Sequence, residues 1–275
     1  MKFYSEITLP ETGEVCKIQQ VPFSAYYELN KFIQNNIDSH IEIAFIDLLT
    51  TYTNKKHFTT LDAFVALLFM RIISVGSTLK LVSDRIQYET KLVDTLQRFS
   101  DIKIEPQKIQ INNDIFFNIK TPAKLFNIDT EDFIYSVDVK GECTILTTDE
   151  RKQIMEMLPA TALETLISYS DIVENILSKI FVRVVDNNIA CSLQDDVLFE
   201  LLKLLYKDDI LACQKKLLQA VHYFGVEAEY VNSLPPAEVD ILMSIIEAQE
   251  AKENSQSSSG SIPIPSRVHG SSPDA

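Results

Sequence analysis

"TTLDAFVALLFMRIISVGSTLKLV", residues 59–82, is the most apolar stretch of the chain, and its periodicity decides the fold class. Leu61, Phe64, Val65, Leu68, Phe69, Ile72 and Ile73 recur at steps of three and four, which places them on one stripe of an α-helix. Ala63, Ala66, Leu67 and Met70 make the other side apolar too, so this helix is expected to be core, covered on more than one side. Thr59 or Thr60 supplies a capping hydroxyl, Asp62 suits the positive end of the helix dipole, and Gly76 offers a left-handed stop. Leu79 and Leu81 then alternate with Thr78 and Lys80, the pattern of a half-buried strand. The apolar run from Phe64 to Val75 is about a dozen residues long and is interrupted by Arg71, whereas a bilayer span needs roughly 20. No membrane is therefore expected as a partner.

On either side of this stretch the signals are mixed. "EITLPETGEVCKIQQVPF" reads as a hairpin, with Ile7 and Leu9 before a turn at Glu11 to Glu14 and with Val15, Ile18 and Val21 after it; Gly13 takes the tight position. A Ser24 cap opens a helix carrying Tyr26, Tyr27, Leu29, Phe32 and Ile33, and a second helix carries Ile41, Phe45, Leu48 and Leu49. "KLVDTLQRF" fits a short helix or an extended piece equally well. "QKIQINNDIFFNIKTP" alternates around an Asn-Asn-Asp turn, and "DFIYSVDVKGECTILT" around Lys140, Gly141 and Glu142, giving two further hairpins. Between them "TPAKLF" reads as a proline-started helix.

Beyond residue 146 the pattern is mainly helical. "TTDERKQIMEMLPATALETLISY" predicts two helices parted at Pro159, the first capped by Thr147 or Thr148. Ile172, Ile176, Ile180 and Phe181 predict another, and "VLFELLKLLY" (197–206) and "ILACQKKLLQAVHYF" (210–224) a helical pair. The last helix has Ser233 at its entrance, Pro235 and Pro236 in its first turn, then Val239, Leu242, Met243 and Ile246. The fold class is α+β: N-terminal β-hairpins interleaved with helices over residues 1–146, a helical region over 147–251, and a tail from 252 to 275. That tail, "KENSQSSSGSIPIPSRVHGSSPDA", is poor in apolar mass and is expected to be disordered.

Composition limits the function classes. The chain has 275 residues, 46% of them hydrophobic and 23% charged, enough for a sizeable core. Its net charge of −14 repels a phosphate backbone on average, so no nucleic acid is expected as a partner. Cys16, Cys143, Cys191 and Cys213 are scattered without a C-x-x-C pair and read as small core hydrophobes; no metal and no disulfide framework is expected. The first twenty residues lack the apolar segment of a secretory signal, and the expected location is the cytoplasm.

No reaction is legible either. The glycines build neither a G-x-x-x-x-G-K-[ST] nor a G-x-G-x-x-G loop, and Gly76-Ser77-Thr78 follows a helix and precedes a strand, the reverse of a phosphate cradle. A Cys213–His222 dyad would lack an orienting third group. Asp195-Asp196, Asp208-Asp209 and Glu227/Glu229 stand at turns or helix starts, where capping accounts for them. The expectation is a non-enzymatic protein with no catalytic residues and no cofactor, acting through surfaces. Residues 190–255 hold 12 acidic and 5 basic residues, a net of −7, and there Tyr223, Phe224 and Tyr230 beside Glu227 and Glu229 are the candidate partner interface.

The order of these segments resembles a known family. "ITLPETGEVCKIQQVPF" before a Tyr- and Leu-bearing helix looks like the start of the baseplate proteins of T-even-type contractile phages. "TTLDAFVALLFMRIISVGSTLKLV" resembles that family's helix with an Arg-x-x-Ser-Val-Gly end turning into a strand, and "IQINNDIFFNIKTPAKL" resembles its next hairpin and proline-started helix. "VDVKGECTILTTDERKQIMEMLPATALETLISY" is similar to its central hairpin, Glu-containing helix and "LP" break, although the Cys-x-x-Cys pair of that central part is absent here. Together the segments cover roughly residues 5 to 250. The resemblance implies a baseplate hub assembly factor, or a permanent hub subunit, whose partners are other phage tail proteins, present in the host cytoplasm during assembly or in the virion tail. An unrelated metal- or nucleotide-dependent enzyme is the remaining alternative.

Overall fold

The computed structural model describes residues 4–83, 86–184 and 187–258. The first hairpin pairs β1 (Ser5–Thr8) with β2 (Val15–Ile18), and its turn is closed by the Leu9 N–H on the Glu14 carbonyl at 2.9 Å, with Gly13 at φ +66°. Cys16 and Ile18 point inward while Val15 is 52% exposed. Val15 and Ile18 are three residues apart, an odd step in a strand, so they lie on opposite sides. The chain then enters α1 (Phe23–Asn35), which starts at Phe23 with Pro22 in the cap position, two residues ahead of the expected Ser24 cap. The Phe23 N–H is taken by the Leu234 carbonyl at 2.7 Å, so tertiary packing sets that boundary.

Next come α2 (Asp38–Tyr52), whose Ile41, Phe45, Leu48 and Leu49 are all buried, and α3 (Thr60–Val75), the helix of the opening stretch. Thr59 caps α3 by accepting the Asp62 N–H at 3.3 Å, and twelve of the sixteen residues of α3 are buried, which is the two-sided covering its composition demands. Gly76 departs from the expected left-handed stop: it sits at φ 128°, ψ 161°, an extended conformation of positive φ that lets the helix turn directly into β3 (Thr78–Ser83). Arg71, the charge inside the apolar run, is itself buried. Its Nε donates to the Leu205 carbonyl at 3.0 Å and its Nη1 to the Gly76 carbonyl, so the cation ties off two helix ends.

β3 pairs with β4 (Ile86–Lys91), and α4 (Leu92–Ser100) follows at once, which resolves "KLVDTLQRF" as the end of a strand and then a helix. A four-stranded antiparallel sheet has the order β5 (Gln107–Gln110), β6 (Ile115–Ile119), β7 (Ile134–Val139), β8 (Glu142–Ile145). The two-residue turn between β7 and β8 places Lys140 at φ 53° and Gly141 at φ 89°, the conformation that matches strand twist. The proline-started helix expected at "TPAKLF" does not form. The Pro122 and Lys124 carbonyls instead accept hydrogen bonds from Thr60 at the start of α3, which takes up acceptors a local helix would use.

α5 (Thr148–Met157) is capped by Thr147 in a reciprocal arrangement with Glu150, and α6 (Ala160–Leu177) starts after Pro159. The separate helix expected on Ile172, Ile176, Ile180 and Phe181 is not there. Ile172 and Ile176 belong to α6, and Phe181 opens a further hairpin, β9 (Phe181–Val184) with β10 (Asn187–Ala190). The helical spacing therefore straddles a boundary, and strand pairing prevails where β-branched Val182 and Val184 follow.

α7 (Val197–Tyr206) and α8 (Ile210–Phe224) form the expected pair, the second capped by Asp209, whose carboxylate accepts the Leu211 N–H at 2.8 Å. Asp195 and Asp196, both at positive φ, make the turn into α7, and Asp196 accepts the Asn127 N–H at 2.8 Å. A short α9 (Ala228–Ser233) intervenes before α10 (Pro236–Ser258), so Ser233 ends one helix and does not cap the next. α10 continues past residue 251 to Ser258; the remainder of the expected tail, 259–275, lies outside the described residues.

One buried cluster runs from Leu9 to Tyr206 without interruption at residue 146. α3 meets α7 inside it: the Tyr206 hydroxyl donates to the Leu67 carbonyl at 2.7 Å, and Phe45 packs edge-on against Phe199 and Tyr206. Cys16, Cys191 and Cys213 are buried as expected, whereas Cys143 is exposed on β8, all of whose residues face solvent. Among the described residues no helix is long and apolar enough to cross a membrane.

Candidate functional site

α8, α9 and α10 make a layer with a small core of their own. Cys213, Ala220, Val231 and Val239 pack with Phe23 of α1, supported by Leu217, Val221 and Leu242. Burial pushes the Cys213 thiol up to about 12, so it is a packing group and no nucleophile at neutral pH. His222 is exposed, and at nine residues along α8 it projects from the side opposite Cys213, which dissolves the conceivable dyad. Lys216 and Asp240 join α8 to α10 at 2.8 Å; burial alone would lower the Lys216 amine, and the bond to Asp240 reverses that and leaves it raised. The Gln214 amide donates to the Tyr27 hydroxyl at 2.6 Å, holding α8 against α1.

What distinguishes the layer is its outer side. On α8, Leu211 and Leu218 are 74% and 68% exposed, two helical turns apart on the face away from Cys213 and Ala220. On α10, Ile241 and Ile245 are exposed one turn apart, opposite buried Val239 and Ile246. α10 is thus apolar on both sides, which water disfavours and a partner would cover.

The five predicted interface residues gather where α8 turns into α9. Gly225, at φ 61°, ends α8 in the left-handed conformation that an L side chain resists, and this puts Phe224 and Tyr223 at the corner. Their rings meet edge to face at 5.3 Å, and the Tyr223 hydroxyl bonds the Gln249 side chain of α10. Tyr223, Phe224 and Tyr230 are exposed, as are Glu227 and Glu229, so aromatic faces and carboxylates share one rim. Glu229 lies in the first turn of α9, where its charge also complements the helix end.

Sequence reasoning missed a second feature. Lys55, Lys56 and His57 from the segment between α2 and α3, Lys120 after β6, and Arg151 of α5 line one cleft of about 750 Å³. The signal was present as "NKKHF", residues 54–58, a short basic run in an acidic chain, but its companions come from distant positions and only the fold assembles them. Glu11 and Asp62, off the lining, lie close enough to act on the charge of Lys120. The Glu11 N–H donates to Asp62 Oδ1 at 3.0 Å, and Thr121 donates to the Glu11 carboxyl. Burial, helped by the Asp62 charge, raises the Glu11 carboxyl to about 7. Among the described residues no group of three or more His, Cys, Asp or Glu side chains is arranged to hold a metal ion. No family model, curated protein or solved structure matches this chain.

Proposed function

We propose that this protein works by docking onto other proteins through its C-terminal helical layer, as an assembly factor for the baseplate hub of a contractile phage tail. The observation that carries the docking part is the outer side of α8 to α10: exposed Leu211, Leu218, Ile241 and Ile245 beside the Tyr223, Phe224, Tyr230, Glu227 and Glu229 rim. Aromatic side chains of this kind are the usual energetic anchors of interfaces, and the surrounding carboxylates steer a basic partner and disfavour an acidic one. The hub part rests on the ordered resemblance of residues 5 to 250 to T-even-type baseplate proteins.

Coexpression with the hub proteins of a contractile tail tests both parts. The chain should co-purify with at least one of them, and Phe224→Ala with Tyr230→Ala should weaken that association on the order of tenfold or more while leaving the fold intact. Retention of none of the hub proteins would overturn the assignment. Mass spectrometry of purified virions separates the two roles: an assembly factor is absent from the particle, a permanent hub subunit present.

A further inference from the structure

The cleft lined by Lys120 and Arg151 gathers five basic side chains in a chain of net charge −14, and such a concentration against the average calls for an anion. Among the described residues Glu14 is the one carboxylate on its lining, and it is already paired with Lys55. Lys120 has no carboxylate within ion-pair distance among the described residues; its Nζ sits 3.4 Å from the centre of the Tyr135 ring, and burial lowers its pKa. A half-buried ammonium that rests on an aromatic face, with the Glu11 and Asp62 carboxyls close enough to be felt but not to bond it, can take a further anion. Arg151 is paired with a carboxylate but keeps one donor unused. Its Nη2 reaches the Leu146 carbonyl at 3.1 Å and its Nη1 lies 3.6 Å from Asp132, but Nε is buried with no acceptor.

The surroundings say which anion fits. Phosphate is commonly gripped by free backbone N–H groups at a helix start, and both nearby starts are filled by the chain's own carboxylates. Glu150 occupies the N-terminus of α5, and Asp62 lies in the first turn of α3. What remains is lysine point charges, apolar surface from Phe58, Val15 and Ile145, and a sheet edge. In the β7–β8 register Val139 faces Glu142 across a two-residue turn, so the N–H groups of Cys143 and Ile145 point away from β7, toward the open edge. Ile145 is 62% exposed there and lines the cleft.

We propose that this cleft binds an extended acidic segment of a partner protein, which adds to the free edge of β8 and sets its carboxylates among Lys55, Lys56, Lys120 and Arg151. Strand addition would supply main-chain hydrogen bonds, and alternate side chains would face the cations. The proposal is independent of the docking role of the C-terminal layer, whose residues contribute nothing to the cleft.

The test uses the full chain and a fluorescein-labelled peptide of alternating glutamate and valine, read by fluorescence anisotropy, with the matching lysine–valine peptide as control. The glutamate peptide should bind and the lysine peptide should not. Lys55→Glu with Lys56→Glu should weaken binding by on the order of tenfold or more, and raising salt from about 0.05 to about 0.5 M should weaken it too. Ile145→Pro, which removes an outward N–H, should weaken it with the circular dichroism spectrum unchanged. The proposal is overturned if the glutamate peptide does not bind, if the Lys55/Lys56 reversal leaves binding intact, or if inorganic phosphate or ATP displaces the peptide at concentrations matching its own affinity. Should Ile145→Pro fail to fold, the charge-reversal variant still decides the question, because Lys56 is exposed and Lys55 lies outside the core.

Discussion

The body around α3 keeps charge inside, and the layer of α8 to α10 keeps apolar side chains outside. Each inverts the usual partition of residues between core and surface, and they do so in opposite senses. In the body, among the described residues, the buried side-chain atoms without a hydrogen-bond partner are Glu11 Oε2, Asp62 Oδ2, Asp132 Oδ1, Arg151 Nε and the Tyr169 hydroxyl, and Arg151 lines the cleft of cations. In the layer the inversion is exposed leucine and isoleucine over a core of a few residues. The difference teaches that the two regions are built for different work: one holds polar groups ready at a stability cost, the other holds apolar area ready at a solubility cost.

The sharpest way to break that comparison is to remove mass from each core. Phe199→Ala should destabilise the whole protein by about 3–5 kcal/mol, because Phe199 is fully buried and packs on Phe45 and Phe126; urea unfolding followed by circular dichroism measures it. Val239→Ala should cost less, about 1–2 kcal/mol, and should show mainly as faster hydrogen exchange in α8 to α10. Equal losses spread over the whole chain would erase the distinction between body and layer.

Next in size is the pH dependence of the buried carboxyl. Glu11 titrates at about 7 in the fold against an ordinary 4.5, so the folded state holds a proton that the unfolded state has released across that window. Its contribution is most favourable below 4.5, declines as pH rises through the window, and above 7 amounts to a penalty of up to about 3 kcal/mol. Glu11→Gln should therefore match the parent near pH 4.5 and exceed its stability increasingly toward pH 8, by chemical denaturation at each pH. A constant offset at all pH values would place the buried charge elsewhere.

Arg71→Met leaves the Leu205 and Gly76 carbonyls unpaired and should cost about 1–3 kcal/mol in the same assay. The smallest expected effect is Tyr169→Phe. Its hydroxyl is buried without a partner, so deleting it should be neutral or stabilising by up to about 1 kcal/mol, while a clear loss of stability would show that the hydroxyl is bonded.

Much of the fold is legible in the sequence because its signals are local. The apolar stripe of α3, the Asp209 cap, the Thr147–Glu150 box and the Lys140-Gly141 turn each specify their own stretch. The failures come where a distant partner decides. Thr60 takes the carbonyls that a helix at "TPAKLF" would need, and the hairpin at Phe181 follows a helix whose periodicity carries on past its end. The candidate surface divides in the same way. Tyr223, Phe224, Glu227, Glu229 and Tyr230 are close in sequence and share one corner, so they could be read from the chain. Lys55, Lys120 and Arg151 are brought together only by the packing of the first hairpin, the four-stranded sheet and α5.

The link at Lys207 to Asp209 is where the body passes into the helical layer. The body ends at Tyr206, and the layer is fastened beyond it by the Phe23 ring in its small core and by hydrogen bonds: the Asp208 N–H on Asn30 at 2.6 Å, the Phe23 N–H on Leu234, and Gln214 on Tyr27. Phe23, packed among Cys213, Val231 and Val239, seats the three helices on α1, so a ligand that grips their outer side meets a surface held in register with the body.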